Sequence, residues 1–246
     1  MPRMVVTFTL QPDVYWSDGA LVTADDPKTG KPVVDIILDR AGQKGTGRWT
    51  AIDALEVGVP LTLIAEAVFA RTLSSIKDER VALAARLGGP ITPVPGDRSG
   101  LLEAIHDALY AAKIVSYTQG FMQMRAAAAE YGWQLAFGDI ALLWRAGCVI
   151  RSRFLDDIKQ AFGRDPQLPS LLFDDFFATA LRAADAGWRR AVTLGVQCGI
   201  PTPSLSAALA FYDGYRSATL PANLLQAQRD YFGAHTYQRT DRPADS

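Results

Sequence analysis

From Trp49 onward, apolar residues recur at intervals of three and four, and most glycines and prolines fall between these runs. Ile52, Leu55 and Glu56 open a predicted helix that Gly58 and Pro60 close. Thr62 is placed to cap the next one, whose Ile64, Ala67, Val68 and Arg71 share a face. An amphipathic segment follows from Ile76 to Leu87, and then a loop rich in glycine and proline from Gly88 to Gly100. The longest uninterrupted pattern runs from Leu101 to Tyr131, about 45 Å of helix at about 1.5 Å per residue. Its Leu102, Ile105, Leu109, Ala112, Val115 and Tyr117 are apolar on too many sides for a surface helix, so a central, buried position is expected. Four more helices are predicted over Gly138–Phe162, Asp174–Gly199, Ser204–Tyr215 and Leu220–Phe232.

The first residues have a different character. Met4-Val-Val-Thr-Phe-Thr-Leu10 favours a strand and Ser17-Asp-Gly19 a turn. Beyond the first 40 residues no strand pair is predicted, so the expected class is all-α, a large multi-helix bundle with a short irregular or β extension at its N-terminus. The polar stretch Thr236–Ser246 reads as a tail. The helical stretches 62–131 and 138–233 show no sequence identity at a fixed period, so the residues alone establish no repeat.

A hydrophobic fraction of 49% against 21% charged residues calls for a folded globular protein rather than a disordered one. The net charge of -1 argues against a nucleic-acid partner, which requires a concentrated basic excess. Cys148 and Cys198 lack metal-ligand spacing and read as small buried thiols in apolar helices. No apolar run approaches the roughly 20 residues that span a bilayer, and the N-terminus has no signal-peptide pattern. A soluble cytoplasmic protein without a membrane partner is the expectation.

Candidate chemistry concentrates in Ala41-Gly-Gln-Lys-Gly-Thr-Gly47-Arg-Trp-Thr50, a glycine-dense loop that runs into a helical segment. Loop amides, the Thr46 hydroxyl, the Lys44 ammonium and a helix start can together hold an anion such as a phosphate. A plain turn between two elements has the same glycines. The loop is not a dinucleotide fingerprint, since no Gly-x-Gly-x-x-Gly occurs, and it lacks the Gly-Lys-Ser/Thr ending of a phosphate loop. His-Glu-x-x-His and Gly-x-Ser-x-Gly are absent, and with His106 and His235 as the only histidines a histidine-rich metal site cannot be built. What remains is a set of cations and hydroxyls suited to a phosphorylated, acidic small molecule: Lys44, Thr46, Arg71, Arg229 and His235. Each has a structural alternative. Arg71, between apolar residues, is open to pairing with a carboxylate such as Glu66. Arg229 is open to contact with a helix C-terminus, and His235 to neutral packing after a glycine stop. His106 has no motif around it and reads as structural.

The loop belongs to a series of blocks that resemble 6-phosphogluconate dehydrogenase: Lys44-Gly-Thr-Gly-Arg-Trp-Thr50, Phe69-Ala-Arg-Thr-Leu-Ser-Ser75, Ser116-Tyr-Thr-Gln-Gly-Phe121, Leu143-Trp-Arg-Ala-Gly-Cys148, Ile150-Arg-Ser152, Trp188-Arg-Arg-Ala-Val192 and Asp230-Tyr-Phe-Gly-Ala-His235. The resemblance covers about residues 28 to 238 and is to the C-terminal, substrate-binding part of that family, without the nucleotide-binding part. It divides the chain into an unmatched extension (1–27), a helical domain (28–235) and a tail (236–246). The edge near Ala24 reads as a truncation, a fusion or a shifted frame, with an ordinary linker as the alternative. The resemblance implies a duplicated helix bundle and a homodimer. It also implies that Lys44, Thr46 and Arg71 bind substrate, largely through its phosphate. Arg229 and His235 are implied to reach across the dimer interface into the other subunit's site. The implied reaction is oxidative decarboxylation of 6-phosphogluconate to ribulose 5-phosphate and CO2, with NADP as the oxidant. The family's glycine motif for NADP and its general-base lysine and general-acid glutamate belong to the unmatched part. No NADP is therefore expected to bind these 246 residues alone, and no catalytic residue is assigned to them. Three roles stay open: a half completed by a separate nucleotide-binding polypeptide, a non-catalytic dimeric module that binds sugar-acid phosphates weakly, and a remnant without activity.

Overall fold

The computed structural model describes residues 25–242, apart from 27, 90–93, 95–96, 146–147, 149, 151 and 153. In chain order the helices are α1 (Val33–Ile36), α2 (Thr46–Glu56), α3 (Thr62–Ser75), α4 (Lys77–Leu87), α5 (Arg98–Tyr131), α6 (Phe137–Leu143), α7 (Leu155–Arg164), α8 (Asp175–Gln197), α9 (Pro203–Tyr215) and α10 (Ala222–Gly233). No strand occurs among the described residues, only an isolated antiparallel bridge between Asp25 and Pro32, so the protein is all-α there. The strand and turn predicted at Met4–Leu10 and Ser17–Gly19 lie outside the described residues. The chain forms two compact units, Met1–Leu209 and Ala210–Ser246, with the boundary inside α9.

The first unit is built on α5 and α8. Asp97 starts α5 by accepting the Ser99 amide at 3.2 Å and the Gly100 amide at 2.8 Å, two of the donors a helix start leaves without intrahelical partners. Gly132 ends it in the left-handed conformation at φ 70°, where glycine has no Cβ to clash. The buried face carries Ala104, Ala108, Ala111 and Ala112, small residues that let another helix approach closely. On α8, Gly187 faces Asp107, and a Cβ at Gly187 would fall 2.2 Å from the Asp107 carboxylate. The fully buried Trp188 then fills the space beside this crossing and donates its indole N–H to the Leu205 carbonyl at 3.2 Å. Because the alanine face is the one that packs, Leu102 and Leu109 are not part of the core; they are 36% and 39% exposed.

The helix predicted over Gly138–Phe162 is two helices. The first, α6, stops at Leu143, where the Trp144 amide turns back to Ala141 and Leu142. The chain resumes as α7 at Leu155, with Asp156 and Asp157 in its first turn, the end where acidic side chains are favoured. Rings pack the two together: Phe137 and Phe162 have centroids 5.3 Å apart, and Phe121 of α5 lies 5.2 Å from Phe162. Asp174 caps α8 through the Phe176 amide at 3.1 Å and receives Arg164 at 2.7 Å, which ties the end of α7 to the start of α8. Cys198 is buried as expected, whereas Cys148 is only partly so.

The cap predicted at Thr62 is displaced. Thr62 is the first helical residue of α3, and Leu61 in the preceding position makes no side-chain cap. Gln119 of α5 takes over that role: its carbonyl accepts the Leu63 amide at 3.1 Å and its amide donates to the Thr62 hydroxyl at 3.0 Å. A fully buried glutamine fifty-six residues away thus fixes where α3 begins.

Candidate functional site

The glycine-dense loop ends where α2 begins. Gly45, at φ 111°, is the residue before the helix, and no side chain caps the first turn, so the amides at Thr46 and Gly47 have no intrahelical acceptor. Gly45 lies under the Trp49 ring, which a Cβ there would meet at 3.2 Å. Gly47 sets how closely α2 approaches α3, since its Cβ would lie 2.8 Å from Val68 Cγ2. Glycines at these two positions therefore serve a left-handed turn and a close helix contact, while Thr46 and Lys44 between and beside them remain exposed. Lys44 makes no hydrogen bond or ion pair with another described residue.

Arg71 comes to the same place from α3. Its guanidinium Nε donates to the Gly42 carbonyl at 2.9 Å and Nη2 donates to the same oxygen. The carboxylate pairing considered for Arg71 does not occur among the described residues, and the side chain is exposed rather than buried between its apolar neighbours. Arg71 thus ties down the loop that carries Lys44 two residues later, with one face of its fork still open to solvent. An open concavity of about 360 Å³ lies here, bounded by Leu38–Ala41 on one side and by Ala70, Arg71 and Ser74 on the other. Of the predicted residues, Arg71 lines this concavity and is bonded to the loop that carries Lys44 and runs into Thr46, whereas Lys44 and Thr46 do not line it.

The stretch before the loop is fastened by residues that the sequence reading did not single out. The Ala41 amide donates to Ser74 Oγ at 2.9 Å, and Arg80 donates to the Asp39 carboxylate at 3.1 Å and to the Asp39 carbonyl at 2.9 Å. Lys77 also donates to the Asp39 carboxylate. Hydrogen bonds from Lys77 and then Arg80 hold the Asp39 carboxyl below its ordinary value. The signal in the sequence is the spacing Arg71, Ser74, Lys77, Arg80, one polar residue every third position.

Arg229 and His235 lie in the second unit. Both are exposed, Arg229 on α10 and His235 just beyond it. The helix ends through Ala234, a left-handed alanine at φ 51°, and Asp230 accepts the Thr236 amide at 2.8 Å. The helix-terminus contact considered for Arg229 does not occur among the described residues; Asp230 accepts an amide from beyond the helix and does not take its place. The His235 ring folds back onto Gly233, where an added Cβ would meet it at 3.0 Å. His106, by contrast, stands on the surface of α5 against Tyr110, with ring centroids 6.4 Å apart.

No group of three or more potential metal ligands occurs among the described residues. Nor is any described helix long and apolar enough to cross a membrane.

Comparison with known proteins places these features in context. Residues 18–246 match the family model described as 6-phosphogluconate dehydrogenase, C-terminal domain, a match that starts upstream of Lys28. The decarboxylating 6-phosphogluconate dehydrogenase of Schizosaccharomyces pombe is 60% identical over 222 residues, which is 90% of this chain and 44% of the relative. The NADP(+)-dependent decarboxylating enzyme of Bacillus subtilis is 52% identical over 92% of this chain and 51% of its own length. The chain thus spans about half the length of the curated relatives it matches. Among solved structures, 6-phosphogluconate dehydrogenase of Plasmodium falciparum superposes with a TM-score of 0.84 at 39% identity, covering 89% of this chain and 48% of that one. That protein was described apo, with NADP+ and with 6-phosphogluconate.

Proposed function

The chain belongs to the 6-phosphogluconate dehydrogenase family, matching its C-terminal domain, and from that premise we propose that it supplies the substrate-phosphate and subunit-contact half of an NADP-dependent decarboxylating phosphogluconate dehydrogenase. The observation that carries this reading is the meeting of Arg71 with the loop of Lys44 and Thr46, joined through the Gly42 carbonyl. A phosphate there would receive the Lys44 ammonium, the open edge of Arg71, the Thr46 hydroxyl and the amides of the α2 start. Arg229 and His235 are proposed to complete the site of a second copy. The second unit's exposed Leu224, Tyr231 and Phe232, at 71%, 86% and 76%, support its burial against another subunit. Light scattering at twice 26.7 kDa is the expected result, and the monomer mass at micromolar concentration would remove the shared-site reading.

NADP is proposed only for the family's complete assembly. Among the described residues there is no sheet, and the chain has no Gly-x-Gly-x-x-Gly turn to receive a pyrophosphate, which supports placing the dinucleotide site on the other half of the assembly. The oxidative decarboxylation is therefore assigned to a complex with a nucleotide-binding domain, covalently attached or separate, in a cytoplasmic setting.

The test is binding by the 246-residue chain. Charge-assisted contacts contribute about 1.5–3 kcal/mol each, less what open water screens. Calorimetry should therefore give a 6-phosphogluconate dissociation constant on the order of millimolar or somewhat tighter. Affinity should fall with added salt and exceed that for unphosphorylated gluconate, and Lys44→Ala or Arg71→Ala should weaken it. Equal binding of gluconate and its phosphate, or no effect of either substitution, would sink the reading.

A further inference from the structure

We propose that Asp39, Ser74, Lys77 and Arg80 form a polar clamp that positions the phosphate loop, making them positioning residues for the site proposed above, on which this inference rests. The loop and its approach have little apolar anchorage. Leu38 is 63% exposed, and Gly42, Gln43 and Lys44 are all exposed, so the hydrophobic effect does not decide where this segment lies. Its position is set by hydrogen bonds to one polar stripe. Arg80 holds both the carboxylate and the carbonyl of Asp39, Ser74 accepts the Ala41 amide, and Arg71 holds the Gly42 carbonyl. Three of the four residues from Asp39 to Gly42 are thus fastened to α3 and α4 immediately before Lys44.

The clamp also fixes its own frame. Arg80 Nη2 donates to the Ser74 carbonyl at 3.1 Å, at the end of α3, while Ser74 Oγ donates to the Arg71 carbonyl at 2.7 Å. The junction between α3 and α4 and the loop are therefore one hydrogen-bonded body. Its second effect is electrostatic. Lys77 and Arg80 both face Asp39, so their charges are committed to the clamp rather than to the anion proposed to meet Lys44 and Arg71. A ligand-binding loop without such fastening would spend its time in many arrangements, and affinity would fall by the fraction of time it was competent.

The 246-residue chain carrying Ser74→Ala or Asp39→Asn tests this by amide hydrogen exchange and by binding. Ser74→Ala is neutral and leaves the site's charge unchanged; Asp39→Asn strikes the other end of the clamp. In both, exchange at residues 41–46 should rise about tenfold, while amides of α5 and α8 exchange as before. Affinity for 6-phosphogluconate should fall about threefold to tenfold in Ser74→Ala and recover in Ser74→Thr, which keeps the hydroxyl. Unchanged loop exchange in both variants would overturn the clamp. Faster exchange with unchanged 6-phosphogluconate affinity in Ser74→Ala would also overturn it, leaving a tether without a positioning role. If the unsubstituted chain failed to bind 6-phosphogluconate, the phosphate reading itself would fall and the positioning role with it. Normal binding with insensitive variants would remove only the clamp.

Discussion

Replacing Gly47 with alanine sets a helix-stabilising change against a packing conflict. Gly47 is the second residue of α2, and its added methyl would lie 2.8 Å from Val68 Cγ2, about 1 Å inside the usual carbon–carbon contact. Val68 is β-branched and on a helix, where one χ1 rotamer dominates, so rotation offers little relief. The conflict must push α2 away from α3. Overpacking of this kind costs about 1–3 kcal/mol, and the alanine returns about 0.5–1 kcal/mol of helix preference. Gly47→Ala should therefore destabilise the chain by up to about 2.5 kcal/mol net. It should also weaken 6-phosphogluconate binding, because Thr46 moves away from Arg71. Val68→Ala alone should cost about 1 kcal/mol, for two methyl groups on a half-buried side chain. In the double variant the conflict is gone, so its stability should match or slightly exceed that of Val68→Ala, with a favourable coupling of about 1–3 kcal/mol. Urea unfolding followed by far-ultraviolet circular dichroism measures all three. Strictly additive effects in the double variant would refute the account of how α2 is seated.

Gln119→Leu should cost about 1–3 kcal/mol in urea unfolding, because it leaves the Leu63 amide without its acceptor, and an unchanged midpoint would show that α3 needs no cap from α5. The amides of Gly100 and then Ser99 hold Asp97 below the ordinary carboxylate value of 3.8. The stability Asp97 contributes is thus complete above that value and is lost as pH falls through the lowered one. Asp97→Asn, neutral at every pH, should flatten the acid decline of the urea midpoint, and an identical acid limb in both proteins would contradict this. Ala234→Gly relieves a left-handed alanine at φ 51° and should slow amide exchange at residues 234 and 236, whereas faster exchange would mean that the turn is held by other contacts.

The parts of this fold legible in the sequence are those whose causes are local. The pattern from Leu101 to Tyr131 announces α5 to its last residue, while its start at Arg98, capped by Asp97, falls inside the stretch expected to be a loop. The glycine spacing from Gly42 to Gly47 marks the loop, and the block around Arg71 marks its companion. What escaped depends on partners distant in sequence. Thr62 has the right chemistry for a cap, yet Gln119 does the work from α5, and no local pattern could reveal it. Leu102 and Leu109 outrank alanine in hydrophobicity, but close helix approach selects the alanine face. The break between α6 and α7 is hard to see because no proline interrupts Gly138–Phe162, and its apolar residues recur on both sides of the break as they would in one helix. The Ser74, Lys77 and Arg80 stripe was visible as a spacing of three but had no meaning until Asp39 was placed against it.

The central claim, that Lys44, Thr46 and Arg71 form a phosphate-recognition face, is tested most directly by nitrogen–proton NMR mapping of the chain with two ligands. With 6-phosphogluconate, the amides of residues 42–47 and the Arg71 Nε resonance should shift together in a saturable manner, and gluconate at the same concentration should leave them in place. Equal shifts with both ligands, or saturable shifts that spare Arg71 Nε and the loop, would contradict the account.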